Sequence, residues 1–303
     1  MENKFEPCGV LVIDKPAGKT SHDIVGAVRR LYHTRKVGHT GTLDPMATGV
    51  LVILIGRAAK AAEYLSAHKK TYRAELRVGL TTDTEDITGK VLTHTDALPT
   101  ADEVCKAAKA LEGEILQTPP MYSALKVNGQ KLVDLARKGI EIERVARPVT
   151  IHSLVCEPLE NGDYALEVTC SAGTYIRTLC ADIGKALGCG GVMTALRRTA
   201  AGDFSLDGAT ALCDLEAMSD EERLSLLRPI HTLFEDLPAV CLPTFYERLC
   251  RNGCEIYQRK IGTDLAEGAR VRICTASGDF IALGEVREFE NGTAIKGIKY
   301  FEV

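Results

Sequence analysis

GHTGTLDPMATGVLVILI, Gly38 to Ile55, is the stretch from which the fold can be read. Its second part, Val50 to Ile55, is an unbroken apolar run, the pattern of a strand buried on both faces. Its first part carries Gly38, Gly41 and Gly49, three glycines expected to permit tight, positive-φ backbone close to a ligand. Asp44 stands between them, followed by Pro45. Asp-Pro by itself is a common turn initiator. A carboxylate on a rigid, glycine-flanked loop running into a buried strand is also well placed for nucleophilic or acid–base chemistry. The loop has no G-x-x-x-x-G-K-[ST] and so is not a phosphate-binding P-loop.

Working outward, Gly9 to Ile13 reads as a short strand broken by Lys15-Pro16 and Gly18. Ser21 is the expected N-cap of an amphipathic helix with Ile24, Val25, Val28 and Leu31 on one face. Downstream, Thr71 to Val78 alternates, with Tyr72, Ala74, Leu76 and Val78 on the apolar side of a half-buried strand. Thr100 and Glu103 form a capping box for a helix expected to stop at Gly113. Tyr164 to Cys170 alternates again, turns at Gly173 and enters a helix marked by Ile176, Leu179, Ile183 and Leu187. Strands and helices mix without a βαβ rhythm, which favours an α+β fold.

Between Pro119 and Pro148 lies a long polar excursion with Lys126, Lys131, Arg137, Lys138, Arg144 and Arg147 against Asp134, Glu141 and Glu143. It is too long for a simple connector and reads as a functional insertion at about 120–148. A boundary near Leu237-Pro238 divides the chain into 1–237 and 238–303. The second part holds short strands at Arg270–Cys274, 281–286 and 294–300, separated by Ser277-Gly278 and Asn291-Gly292.

The 303 residues suit one large domain plus a smaller one, and 45% hydrophobic with 26% charged residues is a soluble globular composition. No apolar run approaches the ~20 residues of a membrane span, and Met1 to Cys8 has no signal-peptide core. A cytoplasmic protein is expected. The 11 cysteines are odd in number and contain no C-x-x-C, so free thiols are expected, with Cys250 and Cys254 as two neighbouring buried thiols. The net charge of −4 is unevenly spread. Residues 1–150 carry 22 Lys and Arg against 18 Asp and Glu, so +4; residues 151–303 carry 15 against 23, so −8. A basic half beside an acidic half can still present a positive groove.

The Gly38–Leu51 segment resembles the catalytic motif of pseudouridine synthases of the TruB type. Three further stretches share the resemblance in the family's order: DKPAGKTSHD (Asp14 to Asp23), HKKTYRAELRVGLTTDTED (His68 to Asp86) and CSAGTYIRTLCADIG (Cys170 to Gly184). Together they span nearly all of residues 9–200. The resemblance implies a pseudouridine synthase fold: a mixed, mainly antiparallel sheet flanked by helices, with a small β-rich C-terminal domain of the PUA type. It implies isomerisation of uridine 55 in the T-loop of tRNA, with no cofactor, no metal and no obligate protein partner, by a chain acting as a monomer. Asp44 corresponds to the aspartate that attacks C6 of the base or C1′ of the ribose. Tyr72 corresponds to the tyrosine that stacks on the flipped base, and Arg177 to the arginine that pairs with the aspartate. His39 matches a histidine that fills the gap left in the RNA, and Asp86 an acidic active-site position. Lys15 and Lys19 are candidates for support or phosphate contact. Lys126, Lys131, Arg137 and Lys138 sit where the family's RNA-gripping insertion falls. In the C-terminal part, Arg248, Arg251, Arg259 and Lys260 are the expected RNA-facing group. A helper of tRNA folding is the alternative from a different class, but it has no need of an aspartate paired with an arginine.

Overall fold

The computed structural model describes residues 6–65, 69–127 and 129–301; Met1 to Phe5 and His68 lie outside the described residues. Val50 to Ile55 falls in the strand Thr48–Ile55, buried from Gly49 onward. Alternate side chains of a strand point to opposite faces. Val50, Val52 and Leu54 therefore join Val10, Val12, Phe204, Leu233 and Phe234 on one side. Leu51, Ile53 and Ile55 join Leu11, Ile13 and the helix residues Ile24, Val25 and Val28 on the other. Two apolar faces explain why no polar residue interrupts the run, and each fully buried Val, Leu or Ile contributes about 1.5–3 kcal/mol.

This strand belongs to a ten-stranded sheet. Its order is Thr210–Ala211, Gly9–Lys15, Thr48–Ile55, Gly191–Ala201, Lys70–Val78, Tyr164–Cys170, Arg147–Pro158 and Gly113–Gln117. Val37–His39 joins Thr48–Ile55, and Phe204–Ser205 joins Gly191–Ala201. Pairings are antiparallel except Gly9–Lys15 with Thr210–Ala211 and Thr48–Ile55 with Gly191–Ala201. The second parallel contact, Arg197 opposite Thr48 and Arg198 opposite Gly49, is a seam joining two antiparallel halves. The helices Ala101–Lys109 and Ile176–Ala186 cover the second half through Val104, Ala108, Leu179, Cys180 and Ile183. The α+β expectation holds.

Several local expectations change. The N-cap of the Ser21–Leu31 helix is Thr20, in a reciprocal box with Asp23; Ser21 turns inward to bond the Asp44 loop. The box needs an acid three residues on, and only Thr20 has one. The Ala101–Lys109 helix ends at Ala110, and Gly113 (φ +102°) instead opens the strand Gly113–Gln117. Of Gly38, Gly41 and Gly49, only Gly49 takes a positive φ, +102°. Cys250 is buried but Cys254 is only half-buried; all eleven cysteines are free thiols.

The C-terminal strands form a separate sheet in the order Ala239–Cys241, Arg270–Cys274, Phe280–Phe289, Gly292–Tyr300 and Ile256–Tyr257. Its own core contains Val240, Val271, Ile273, Ile281 and Ile295. Phe280, Leu283 and Phe301 also pack into the cluster holding Val10, Leu233 and Phe234. A chain cut near Asp236 would expose that shared cluster, so this sheet is no detachable bead. Among the described residues no helix is long and apolar enough to cross a membrane.

The seam sets a strict demand at Gly49. A Cβ there would lie 2.1 Å from the Arg198 carbonyl oxygen. Gly49→Ala should destabilise the fold by about 3 kcal/mol or more in urea denaturation, from clash and φ strain together. Gly26→Ala, in a helix with nothing within 4 Å, should stabilise it by about 0.5–1 kcal/mol. Equal tolerance at both positions would contradict the seam geometry.

Candidate active site

The loop that presents Asp44 is fastened from three directions. The Ser21 hydroxyl accepts from Leu43 N–H at 2.8 Å and donates to the Leu43 carbonyl at 3.1 Å. Gly18 N–H donates to the Pro45 carbonyl at 2.8 Å. The Lys15 ammonium, with its residue fully buried, donates to the carbonyls of Pro16 (2.8 Å), Lys19 (2.6 Å) and Pro45 (3.3 Å). Those bonds fill its donor capacity, so Lys15 supports the loop and has no access to a phosphate. Burial pulls its pKa down to about 8, opposed by Asp44. Lys19 is exposed and contributes its carbonyl.

Arg177 meets Asp44 side on, Nε to Oδ2 at 2.9 Å and Nη2 to Oδ1 at 3.4 Å. It comes from the first turn of the Ile176–Ala186 helix. The entry to that helix is held by Gln117, which accepts from Tyr175 N–H at 2.7 Å and donates to its carbonyl at 3.1 Å. The guanidinium is 5% exposed and also donates to the carbonyls of Thr84 (3.0 Å) and Tyr122 (2.8 Å). The second carboxylate, Asp86, lies 3.6 Å from its Nη1. Asp86 is buried, and its Oδ1 accepts from Thr84 Oγ1 (2.8 Å), Thr88 N–H (2.9 Å) and Thr88 Oγ1 (2.5 Å).

Asp44 keeps one third of its side-chain surface open, while the arginine behind it is sealed. Burial pushes its carboxyl above the usual aspartate range. Arg177 is the strongest influence in the opposite direction, Asp86 adds to the rise, and Lys15 opposes it. Tyr72 is 6% exposed on the strand Lys70–Val78, facing Arg198 in register. Burial raises its phenol pKa, and the Arg198 guanidinium works against that rise. His39 lies in the short strand Val37–His39, not in an open loop, and its buried Nδ1 has no hydrogen-bond partner among the described residues. Burial and then Arg198 lower its pKa, which favours the neutral imidazole.

The structure thus brings Asp44, Arg177, Asp86 and Lys15 together, with Tyr72 on a strand separated from Thr48–Ile55 by Gly191–Ala201. Lys126, Lys131, Arg137 and Lys138 stand apart, all exposed, and no carboxylate pairs with them among the described residues. Their segment forms a hairpin, Lys126–Val127 with Gln130–Lys131, and a short helix, Leu132–Ala136. It reaches the site through the Tyr122 carbonyl. Sequence reasoning passed over Gln117, Ser21 as a loop fastener, and above all Arg197 and Arg198. Arg197 grips Asp14 at 2.7 and 3.1 Å, and Arg198 is 1% exposed. The signal was available, since adjacent arginines in a strand must face opposite sides. Among the described residues no three His, Cys, Asp or Glu side chains are grouped to hold a metal ion.

The fold is that of RNA-modifying pseudouridine synthases. A chain of a crystallised Cbf5–Nop10–Gar1 complex superposes with a TM-score of 0.75 at 27% identity, over 98% of this chain and 85% of that one. A chain of an H/ACA ribonucleoprotein bound to a substrate RNA containing 2′-deoxyuridine gives 0.74 at 25% identity, over 98% and 86%. Residues 29–176 match the N-terminal domain of the TruB family pseudouridylate synthases, and residues 177–235 the C-terminal domain of tRNA pseudouridylate synthase B. The tRNA pseudouridine synthase B of Alkaliphilus oremlandii is 44% identical over 92% of this chain and 93% of its own length. That of Clostridium kluyveri is 43% identical over 93% and 96%. The chain belongs to the TruB family of pseudouridylate synthases.

Opposed neighbours give opposed shifts. In Arg177→Gln the Asp44 pKa should rise, because its chief stabilising cation is gone; in Asp86→Asn it should fall, because a like charge is gone. Carboxyl-carbon NMR across a pH titration reads both. Shifts of the same sign would contradict the arrangement.

Proposed function

We propose that this chain converts uridine 55 in the T-loop of tRNA to pseudouridine, with Asp44 as the attacking carboxylate. The observation that carries this reading is a carboxylate one third open and ion-paired to a sealed arginine, in a chain whose family and relatives are pseudouridine synthases. The tighter contact is at Oδ2, which leaves Oδ1 as the freer nucleophilic oxygen. Oδ1 forms a bond to C6 of the base or C1′ of the ribose, and the N1–C1′ bond breaks. The uracil turns and the C5–C1′ bond forms. C5 loses a proton, N1 gains one, and the carboxylate is regenerated. Nothing is oxidised or hydrolysed, so the chemistry calls for no cofactor and no metal.

A base inside a folded loop is reached only by leaving its stack, at a cost of a few kcal/mol. A neutral His39 imidazole suits insertion among RNA bases, since it carries no charge to desolvate, and Tyr72 offers a ring to the flipped base. The exposed cations of the 120–148 insertion would grip the backbone, and the 238–303 sheet would add RNA contacts through Arg248, Arg259 and Lys260. Arg251 is engaged with Glu247 at 2.9 Å. In this reading the chain works as a monomer in the cytoplasm, with tRNA as its only necessary partner.

A tRNA transcript and a minimal T-loop stem-loop should both gain one pseudouridine, at the T-loop position, in excess EDTA. Modification elsewhere, or activity restored to the stem-loop only by a metal, would overturn the proposal. The rate should fall with acid at a pH above the ordinary aspartate value of about 3.9, because the charged carboxylate attacks and its pKa is raised.

Alanine at Lys126, Lys131, Arg137 or Lys138 should weaken tRNA binding while sparing turnover at saturating RNA. Each should reduce the slope of log affinity against log salt by about one. An unchanged slope in all four would remove the insertion from the RNA interface.

A further inference from the structure

Arg198 is among the largest fully buried side chains of the protein, and no carboxylate meets its guanidinium among the described residues. Burying an ion carries a desolvation penalty of several kcal/mol, so a cation kept without an anion needs other compensation. Here it is backbone carbonyls. Nε donates to Val50 at 2.7 Å, Nη2 to Gly41 at 3.0 Å and Nη1 to Thr42 at 3.3 Å. These three residues bracket Asp44 on both sides in sequence. The Arg198 backbone is committed to the same place: it pairs with Gly49 across the seam and with Tyr72 on its other neighbour. One residue therefore touches both limbs of the loop that carries Asp44 and the strand position that carries Tyr72.

We infer that Arg198 is a positioning residue for the isomerisation, converging the two limbs of the Gly41–Val50 loop on one guanidinium and fixing them against the Tyr72 strand. This rests on Asp44 and Tyr72 acting as proposed above. A hydrophobic side chain could fill the volume, but it could not satisfy three inward-facing carbonyls. Lysine could reach at most part of the set, because its donors radiate from one nitrogen and lack the planar fork. The same charge works against protonation of Lys15, His39, Lys70 and Tyr72, the titratable groups that surround it.

The test measures single-turnover pseudouridine formation and RNA affinity for Arg198→Lys, beside Asp44→Asn and the unaltered protein, with melting curves for each. Misplacing a reacting group by about 1 Å can cost about a hundredfold in rate. Arg198→Lys should therefore lose about a hundredfold in turnover per RNA-binding molecule while its RNA affinity stays near that of the unaltered protein. Turnover at the unaltered rate would overturn the inference. So would turnover and affinity falling together in step with the loss of fold, because Arg198 would then be architectural only. If the lysine variant does not fold, Arg198→Gln is measured below its melting temperature and scaled to its RNA-binding fraction, with the same two outcomes decisive. Normal turnover by Asp44→Asn would instead sink the reading of the site itself, whatever Arg198→Lys does.

Discussion

A carboxylate taken partly out of water stays charged only if a cation meets it, and Asp44 and Arg177 meet that demand from positions 133 residues apart. Much of the architecture can be understood as what brings those two side chains to one point. Asp44 arrives on a short loop just before the most deeply buried strand, so the loop has a fixed base. Arg177 arrives on the first turn of a helix whose entry is tied by Gln117 to the sheet edge. The remaining guanidinium donors are used by Thr84 and Tyr122, with Asp86 nearby, so the arginine cannot swing away without leaving buried acceptors unpaired.

The two halves of the large sheet meet where this pairing is needed. Thr48 and Gly49 run parallel to Arg197 and Arg198, and Gly49 alone of the loop glycines is there for want of space. The seam puts Tyr72 one strand from the Asp44 loop and leaves an arginine beneath it. Cations with different tasks result: Arg177 faces the carboxylate, while Lys15 and Arg198 face the carbonyls of the loop that carries it. The C-terminal sheet, far along the chain, still shares Phe280, Leu283 and Phe301 with the cluster behind the central strand. It therefore bears on the stability of the catalytic half as well as on any RNA contact.

Much of this was legible in the sequence because it rests on period and composition. Val50 to Ile55 announced a doubly covered strand, Thr71 to Val78 an alternating one, and Asn291-Gly292 a hairpin turn. The Asp44 loop drew attention through its glycines, although for a reason that held only at Gly49. What escaped were residues whose meaning depends on partners distant in sequence. Ser21 looked like a cap because a serine before a helix usually is one, yet Thr20 had the acid at the right spacing and Ser21 was left for Leu43. Lys15 was open to support or to phosphate contact, and Arg198 drew no notice, since burial of a charge is visible only once the carbonyls around it are placed. Asp86 was marked by the resemblance alone until Thr84, Thr88 and Arg177 were seen closing around it.

The central claim is that the Asp44 carboxylate carries the reaction and that the surrounding groups exist to aim it. Asp44→Asn keeps the size of the side chain and much of its hydrogen bonding, and removes the charge and the nucleophilic oxygen. Single-turnover pseudouridine formation by this variant, with a binding isotherm on the same tRNA, tests the claim most directly. The account predicts pseudouridine formation lost by several orders of magnitude with RNA affinity largely kept. Near-normal turnover by the folded variant would contradict it.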